Sequence, residues 1–315
     1  MTDGNPRITP MHYPWQRERW QMMDDLIERQ RLPHALLFCG PQFIGKRQFA
    51  NALAARLLCE KPLGGFACGR CKQCLLLAAG SHPDLLEVEP EEEGKAIRID
   101  PVRELGQFIA KTAMQGGRKV AIIHPAEAMN LNASNALLKN LEEPSAGTHI
   151  ILVSHELSRL PATVRSRCRR VTFAVPSRTE VENWLELVSG KKEHLAELLD
   201  YAADRPLLAL RFLESDLLDR RRAFDDLLDK VADGVMSPLT AAESHLDLPP
   251  PMALDWLYCR VAAQIKDDSR KGAKPLLFLF LDKLSAVKSR LLSSANPNVT
   301  LLWEELMMDW QRLFR

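Results

Sequence analysis

The chain has 315 residues, enough for two or three domains and a substantial core. Its 42 basic residues oppose 41 acidic ones, so no overall field draws it to nucleic acid or to a membrane, and any DNA contact must come from a local patch. No apolar run approaches the roughly 20 residues of a membrane span, and the start Met1-Thr-Asp-Gly-Asn lacks the basic and apolar regions of a signal peptide, so a cytoplasmic protein without membrane contact is expected.

The first chemistry-bearing element follows a short apolar run of buried-strand type, Ala35-Leu-Leu-Phe-Cys39. Residues 40–47 then read Gly-Pro-Gln-Phe-Ile-Gly-Lys-Arg, a phosphate-binding loop complete through Gly45-Lys46. In that pattern the glycines let backbone N–H groups curl around phosphates, the lysine neutralises them, and a final Ser or Thr hydroxyl holds Mg²⁺. Arg47 stands at the hydroxyl's position and cannot coordinate a cation. Phe49, Leu53 and Leu57 recur every fourth residue, which predicts a helix directly after the loop.

Four of the seven cysteines lie within residues 59–74. Cys59, Cys68, Cys71 and Cys74 form a C-x8-C-x2-C-x2-C arrangement whose two tight steps suit one tetrahedral metal, and four thiolates close the coordination sphere of a structural Zn²⁺. Gly64, Gly65 and Gly69 permit the sharp turns of such a knuckle. Cys39, Cys168 and Cys259 stand apart and read as small buried hydrophobes.

Downstream, Leu85–Val88, Val120–Ile123, Ile150–Val153 and Val171–Phe173 read as four more strands, with a helical stretch from Val102 to Met114 between the first two. Short apolar strands alternating with helices predict a parallel sheet covered on both faces. Glu91-Glu-Glu-Gly94 reads as a solvated loop. From Ala174-Val-Pro-Ser onward the strand signals stop. Breaks at Met236-Ser-Pro238, Leu248-Pro-Pro-Pro251 and Asn296-Pro297 punctuate a helical remainder. The expected division is a P-loop domain over 1–174 with its knuckle at 59–74, a small helical lid over 175–213, and a helical collar or oligomerisation domain over 214–315. Trp303, Met307, Trp310 and Phe314 make an aromatic stripe on the last helix that suits either core packing or a subunit interface.

Lys119-Val-Ala-Ile-Ile-His124, Asn135-Ala-Leu-Leu-Lys139, Leu141-Glu-Glu-Pro144 and Ser166-Arg-Cys168, in that order, closely resemble the clamp-loader branch of the AAA+ family. With the P-loop and the knuckle, the resemblance covers residues 34 to about 173. It implies an AAA+ P-loop fold followed by a lid and a collar. It also implies a subunit of a loader that places a sliding clamp on primed DNA for DNA polymerase III, with ATPase subunits of tau/gamma type and a delta subunit as partners.

Within that branch the chain resembles a member whose nucleotide site is degenerate. The acidic pair that normally ends the third strand is here His124-Pro125, which can neither hold Mg²⁺ through oxygen nor polarise water. Ser154 aligns with the polar sensor after the fourth strand, and the sensor arginine of the lid falls at Leu207, two residues past Arg205. Gly40, Gly45, Lys46 and Ser154 therefore imply weak or absent binding of nucleotide or phosphate, without turnover. The Ser166–Cys168 triplet is intact, and the resemblance implies that Arg167 serves as an arginine finger in a neighbour's ATP site. Two rival readings are an active P-loop ATPase of the same family and a zinc-knuckle nucleic-acid-binding module. The second has only Lys61, Arg70, Lys72 and Phe66 in its favour.

Overall fold

The computed structural model describes residues 12–92, 94–115, 117–190, 194–244, 248–266, 274–291 and 298–314. The chain forms two compact units, one of Met1–Lys191 with Asp204–Leu207, the other of Lys192–Ala203 with Leu208–Arg315. Among the described residues no helix is long and apolar enough to cross a membrane.

The first unit runs α1 (Arg17–Glu28), β1 (Ala35–Cys39), α2 (Lys46–Leu58), α3 (Lys72–Ala78), β2 (Leu85–Val88), α4 (Ile99–Ala110), β3 (Lys119–Ile123), α5 (Leu131–Glu142), β4 (Thr148–Ser154), α6 (Ala162–Arg165), β5 (Arg169–Thr172) and α7 (Arg178–Ser189). The five strands are parallel in the order β2-β3-β4-β1-β5. Alternate residues of each strand face opposite ways, and in the central strands β1, β3 and β4 both sets are buried. Leu36, Phe38, Val120, Ile122, Ile151 and Val153 pack with α1 and α2 on one face. Leu37, Ala121, Ile123, Ile150 and Leu152 pack with α4, α5 and Val164 on the other. This double burial is why the strands read as continuous apolar runs.

Several boundaries differ from the sequence expectation by one to four residues, and two of the shifts have a visible cause. The helix expected to reach Met114 ends at Ala110, because the buried Asp84 carboxylate accepts the amides of Met114 (2.8 Å) and Gln115 (2.7 Å), which a continued helix would have used internally. The last strand begins at Arg169 rather than Val171; β5 lies at the sheet edge, where Arg169 and Arg170 are exposed and the apolar signal is lost. Glu93 of the acidic loop lies outside the described residues; Glu91, Glu92 and Gly94 are exposed.

Helix ends are fixed locally. Asn130 caps α5 by accepting the Ala133 amide at 2.8 Å, and Ser177 and Glu180 form a capping box on α7, which closes at Gly190 with φ +67°. Asn130→Ala is expected to lower stability by about 1 kcal/mol, read from chemical unfolding.

The second unit is helical: α8 (Leu195–Ala202), α9 (Pro206–Glu214) from Leu208 onward, its first two residues belonging to the first unit, α10 (Leu217–Ala232), α11 (Pro238–Ser244), α12 (Pro250–Lys266), α13 (Lys274–Leu291) and α14 (Val299–Arg312). Pro238 and Pro250 open α11 and α12, positions that tolerate a missing N–H, while Asn296-Pro297 lies outside the described residues. Trp303, Met307 and Trp310 are fully buried within their own unit. The Trp303 ring meets Phe224 edge-on, and Trp310 Nε1 donates to the Leu228 carbonyl at 2.8 Å. For these three residues core packing is the role the structure shows; Phe314, the last of the stripe, is half-buried against the Trp310 ring.

Candidate functional site

The chain order places β1 between β4 and β5, so the loops leaving the carboxyl ends of β1, β3 and β4 converge where an open α/β sheet binds ligands. Cys39 and Ser154 are register partners at this end. The residues following β1 and β4 are therefore neighbours although more than a hundred positions separate them in sequence.

Two glycines shape the loop after β1. At Gly40 (φ +147°) a Cβ would lie 2.1 Å from the Phe173 carbonyl oxygen, and at Gly45 (φ +85°) it would lie 2.4 Å from the Tyr13 ring. Any side chain at either position forces a neighbour to move. Ahead of α1, Trp15 Nε1 and Gln16 Nε2 both donate to the Ile44 carbonyl at 3.0 Å. Tyr13 stacks on Trp15, and Trp184 of α7 meets both rings edge-on. The apex residue Phe43 sits at φ +66°, with its carbonyl accepting the Leu207 amide at 3.0 Å and its ring 5.9 Å from the Arg205 guanidinium. The two residues competing for the sensor position thus meet the same loop residue.

Lys46 is 2 % exposed. Its ammonium donates to the carbonyls of Gly40 (2.6 Å) and Pro41, so the loop binds its own cation. Burial pushes the Lys46 ammonium down to about 8, opposed by the nearby Glu127 carboxylate. Arg47 turns to the end of β2 and pairs with Glu87 (3.3 Å) and Glu89. A guanidinium thereby neutralises the acidic groups beside the magnesium position of the motif.

At the tip of β3, His124 Nε2 faces His155 Nε2 at 3.2 Å. Burial pushes both imidazoles down to about 3, helped for His124 by repulsion from a second proton on His155 and from Arg47 and Lys46, and for His155 by Lys46. Ser154 is fully buried, and its Oγ has no hydrogen-bond partner among the described residues. Two further members of this cluster, His155 and Glu127, escaped the sequence reading. Glu127 Oε1 accepts the backbone N–H groups of His155 (2.8 Å) and Glu156 (3.3 Å), a contact across 28 and 29 residues that no motif signals.

The four knuckle cysteines converge. Their Sγ atoms all lie within 4.8 Å of one another, with separations of 3.9 Å (Cys59–Cys71), 4.0 Å (Cys68–Cys74) and 3.5 Å (Cys71–Cys74). A tetrahedron of thiolates about 2.3 Å from Zn²⁺ has edges of about 3.8 Å, so these residues fit a single metal ion. Cys59 ends α2 and Cys71 begins α3, so the cluster joins two helix termini. The amides of Cys68 and Cys71 point at the Sγ atoms of Cys59 (3.3 Å) and Cys68 (3.4 Å), N–H···S bonds that stabilise thiolate. Of the other cysteines, Cys39 is buried and Cys168 and Cys259 are half-buried.

Arg167 lies between α6 and β5, at the opposite end of the sheet from the P-loop. Arg169 pairs in register with Leu36, four residues before Gly40, which is about 13 Å of strand. Its guanidinium is held by Glu142 and by the Thr163 carbonyl at 2.9 Å. The structure therefore gathers Gly40, Gly45, Lys46 and Ser154 into one site, brings the four cysteines into a second, and sets Arg167 apart from both.

Residues 15–177 match the family model described as DNA polymerase III, delta subunit. The DNA polymerase III subunit delta' of Pseudomonas aeruginosa is 38 % identical over 96 % of this chain and 98 % of its own length. That of Escherichia coli is 35 % identical over 78 % and 73 %. Among solved structures, a gamma-subunit-related protein of DNA polymerase III from Thermotoga maritima superposes with a TM-score of 0.53 at 19 % identity, covering 94 % of this chain and 99 % of that one, which bears out the AAA+ clamp-loader fold. A P-loop sheet with a cysteine knuckle and matched relatives over nearly its whole length assign this chain to the DNA polymerase III subunit delta' family.

Proposed function

We propose that the chain is a non-hydrolysing subunit of a DNA polymerase III clamp loader. It helps place a sliding clamp on primed DNA and lends Arg167 to the ATP site of a neighbouring tau/gamma-type subunit, with a delta subunit as its other neighbour. Clamp and DNA are reached through the complex, in the cytoplasm. Residues 1–174 form the P-loop domain, 175–213 the lid and 214–315 the collar by which it assembles. A structural zinc on Cys59, Cys68, Cys71 and Cys74 belongs to the same reading, clamping the end of α2 to the start of α3.

The observation that carries the non-hydrolysing part is the fate of the two residues at the core of the loop. Lys46 is spent on loop carbonyls, and Arg47 is paired with Glu87 and Glu89 in place of a magnesium-holding hydroxyl. His124 and Pro125 stand where the acidic pair of the motif would be, and neither offers an oxygen for Mg²⁺ or a carboxylate for water. The rival reading, an active ATPase, draws on Glu127, a buried carboxylate close enough to act on the Lys46 charge. Glu127 Oε1 accepts two backbone amides, which orients the carboxylate, while its buried Oε2 has no hydrogen-bond partner among the described residues; ATP hydrolysis by the isolated chain therefore bears on it directly. The isolated chain is expected to hydrolyse no ATP above background; turnover abolished by Lys46→Ala would overturn this reading.

A further inference from the structure

Four arginines crowd residues 165–170, and the structure separates them by their partners. Arg165, Arg169 and Arg170 are exposed and make no ion pair among the described residues, while Arg167 is gripped from two sides. Its Nη1 donates to the Thr163 carbonyl at 2.9 Å and to Ser166 Oγ at 3.3 Å, both in its own turn. Its Nε donates to Glu142 Oε1 at 2.5 Å, and Nη2 pairs with the same oxygen. Of the five N–H groups of a guanidinium these contacts occupy four, leaving one on Nη2.

Glu142 is the last residue of α5. A carboxylate there meets the negative end of the helix dipole, which favours a basic residue, so helix stability does not explain it. Nor does folding of the unit, since the side chains of Arg167 and Glu142 are 35 % and 49 % exposed and ion pairs of that kind contribute little. What the contact does accomplish is geometric. It bridges 25 residues and fixes the direction of a long, flexible side chain by its guanidinium end.

We propose that Glu142 is a positioning residue for Arg167, holding the guanidinium in one orientation before a neighbouring subunit's nucleotide meets it. The inference rests on Arg167 acting as a finger in trans. Ordering the side chain during folding removes that entropic cost from the encounter with the transferred phosphoryl group, so the effect falls on the chemical step rather than on ATP binding.

The test is DNA-stimulated ATP hydrolysis by a reconstituted clamp-loader complex carrying full-length wild-type chain, Glu142→Gln, Glu142→Asp, Arg167→Ala or the Glu142→Gln/Arg167→Ala double variant, with assembly checked by size exclusion. Glu142→Gln is expected to lower kcat about tenfold with KM for ATP little changed, below the ~10²-fold loss of a 1 Å misplacement. Glu142→Asp recovers part of the loss, and on the Arg167→Ala background Glu142→Gln has no further effect. If Arg167→Ala slows turnover while Glu142→Gln leaves it unchanged or faster, the positioning role is wrong and the finger stands. An equal loss from Glu142→Gln on both backgrounds also overturns it, because Glu142 then acts through something other than Arg167. If Arg167→Ala itself changes nothing, the finger reading falls and the positioning role with it.

Discussion

Arg167→Ala in an assembled clamp loader is expected to cut ATP turnover at the site it faces by about 10³-fold or more, with assembly intact. The magnitude follows from the chemistry of phosphoryl transfer, where a guanidinium delivered from a neighbour meets charge spreading over the transferred group in a site shielded from water. The direction of delivery follows from topology. Arg167 precedes β5 at one end of the sheet, whereas Gly40 and Lys46 follow β1 at the other, so this guanidinium is placed away from its own loop. Assembly is spared because the side chain is partly exposed and its ion pair adds at most ~1 kcal/mol to folding. Arg167→Lys is expected to recover little, because an ammonium is a point charge without the planar fork. DNA-stimulated hydrolysis by the reconstituted complex, alongside size exclusion, decides the matter; unchanged turnover would reduce this chain to an architectural part.

Cys71→Ser is expected to release zinc and lower the stability of the α/β unit by about 3 kcal/mol, a Tm drop of roughly 6–12 °C at this size, while leaving partner choice unaltered. A structural zinc supplies about 10–16 kcal/mol in small fingers that have nothing else to fold around. Here part of the knuckle is held independently. Leu77 of α3 is buried in the core, and Phe66 stacks on Trp20 at 5.1 Å, so losing one thiolate forfeits a fraction of that total. Cys59 is the residue through which the loss reaches the loop helix, since it ends the helix that Lys46 begins. Elemental analysis and thermal unfolding with and without chelator test both halves. A wild-type chain free of zinc, or a Tm unmoved by the substitution, counts against a structural metal.

The residues that were legible in the sequence are those whose environment is simple. Strands buried on both faces announce themselves as apolar runs, and Ala35–Cys39 was readable to the residue. The P-loop was legible because backbone geometry demands glycine at positions 40 and 45. Less legible was whatever depends on a partner distant in sequence. Asp84 cuts α4 short from 30 residues away, and Arg169 and Arg170 conceal the start of β5 because an edge strand tolerates charge. His155 and Glu127 join the site only once β3 and β4 lie side by side. The terminal aromatic stripe shows the same limit from the other side. Periodicity marks a buried face, but only the packing of Trp303 against Phe224 shows what buries it.

The self-contained state of the loop has a consequence for how the subunit responds to the cell's energy supply. A protein that binds a ligand only when folded gains stability with the logarithm of ligand concentration, so a chain that binds ATP is more stable when ATP is plentiful. In this chain the Lys46 ammonium is satisfied by Gly40 and Pro41, Arg47 by Glu87 and Glu89, and the Ile44 carbonyl by Trp15 and Gln16. Each of these loop groups finds its partner within the same chain, through hydrogen bonds and ion pairs. On the proposed reading its stability would not follow the adenylate pool, so thermal unfolding with and without ATP is expected to give the same Tm, and a rise with ATP concentration would overturn it.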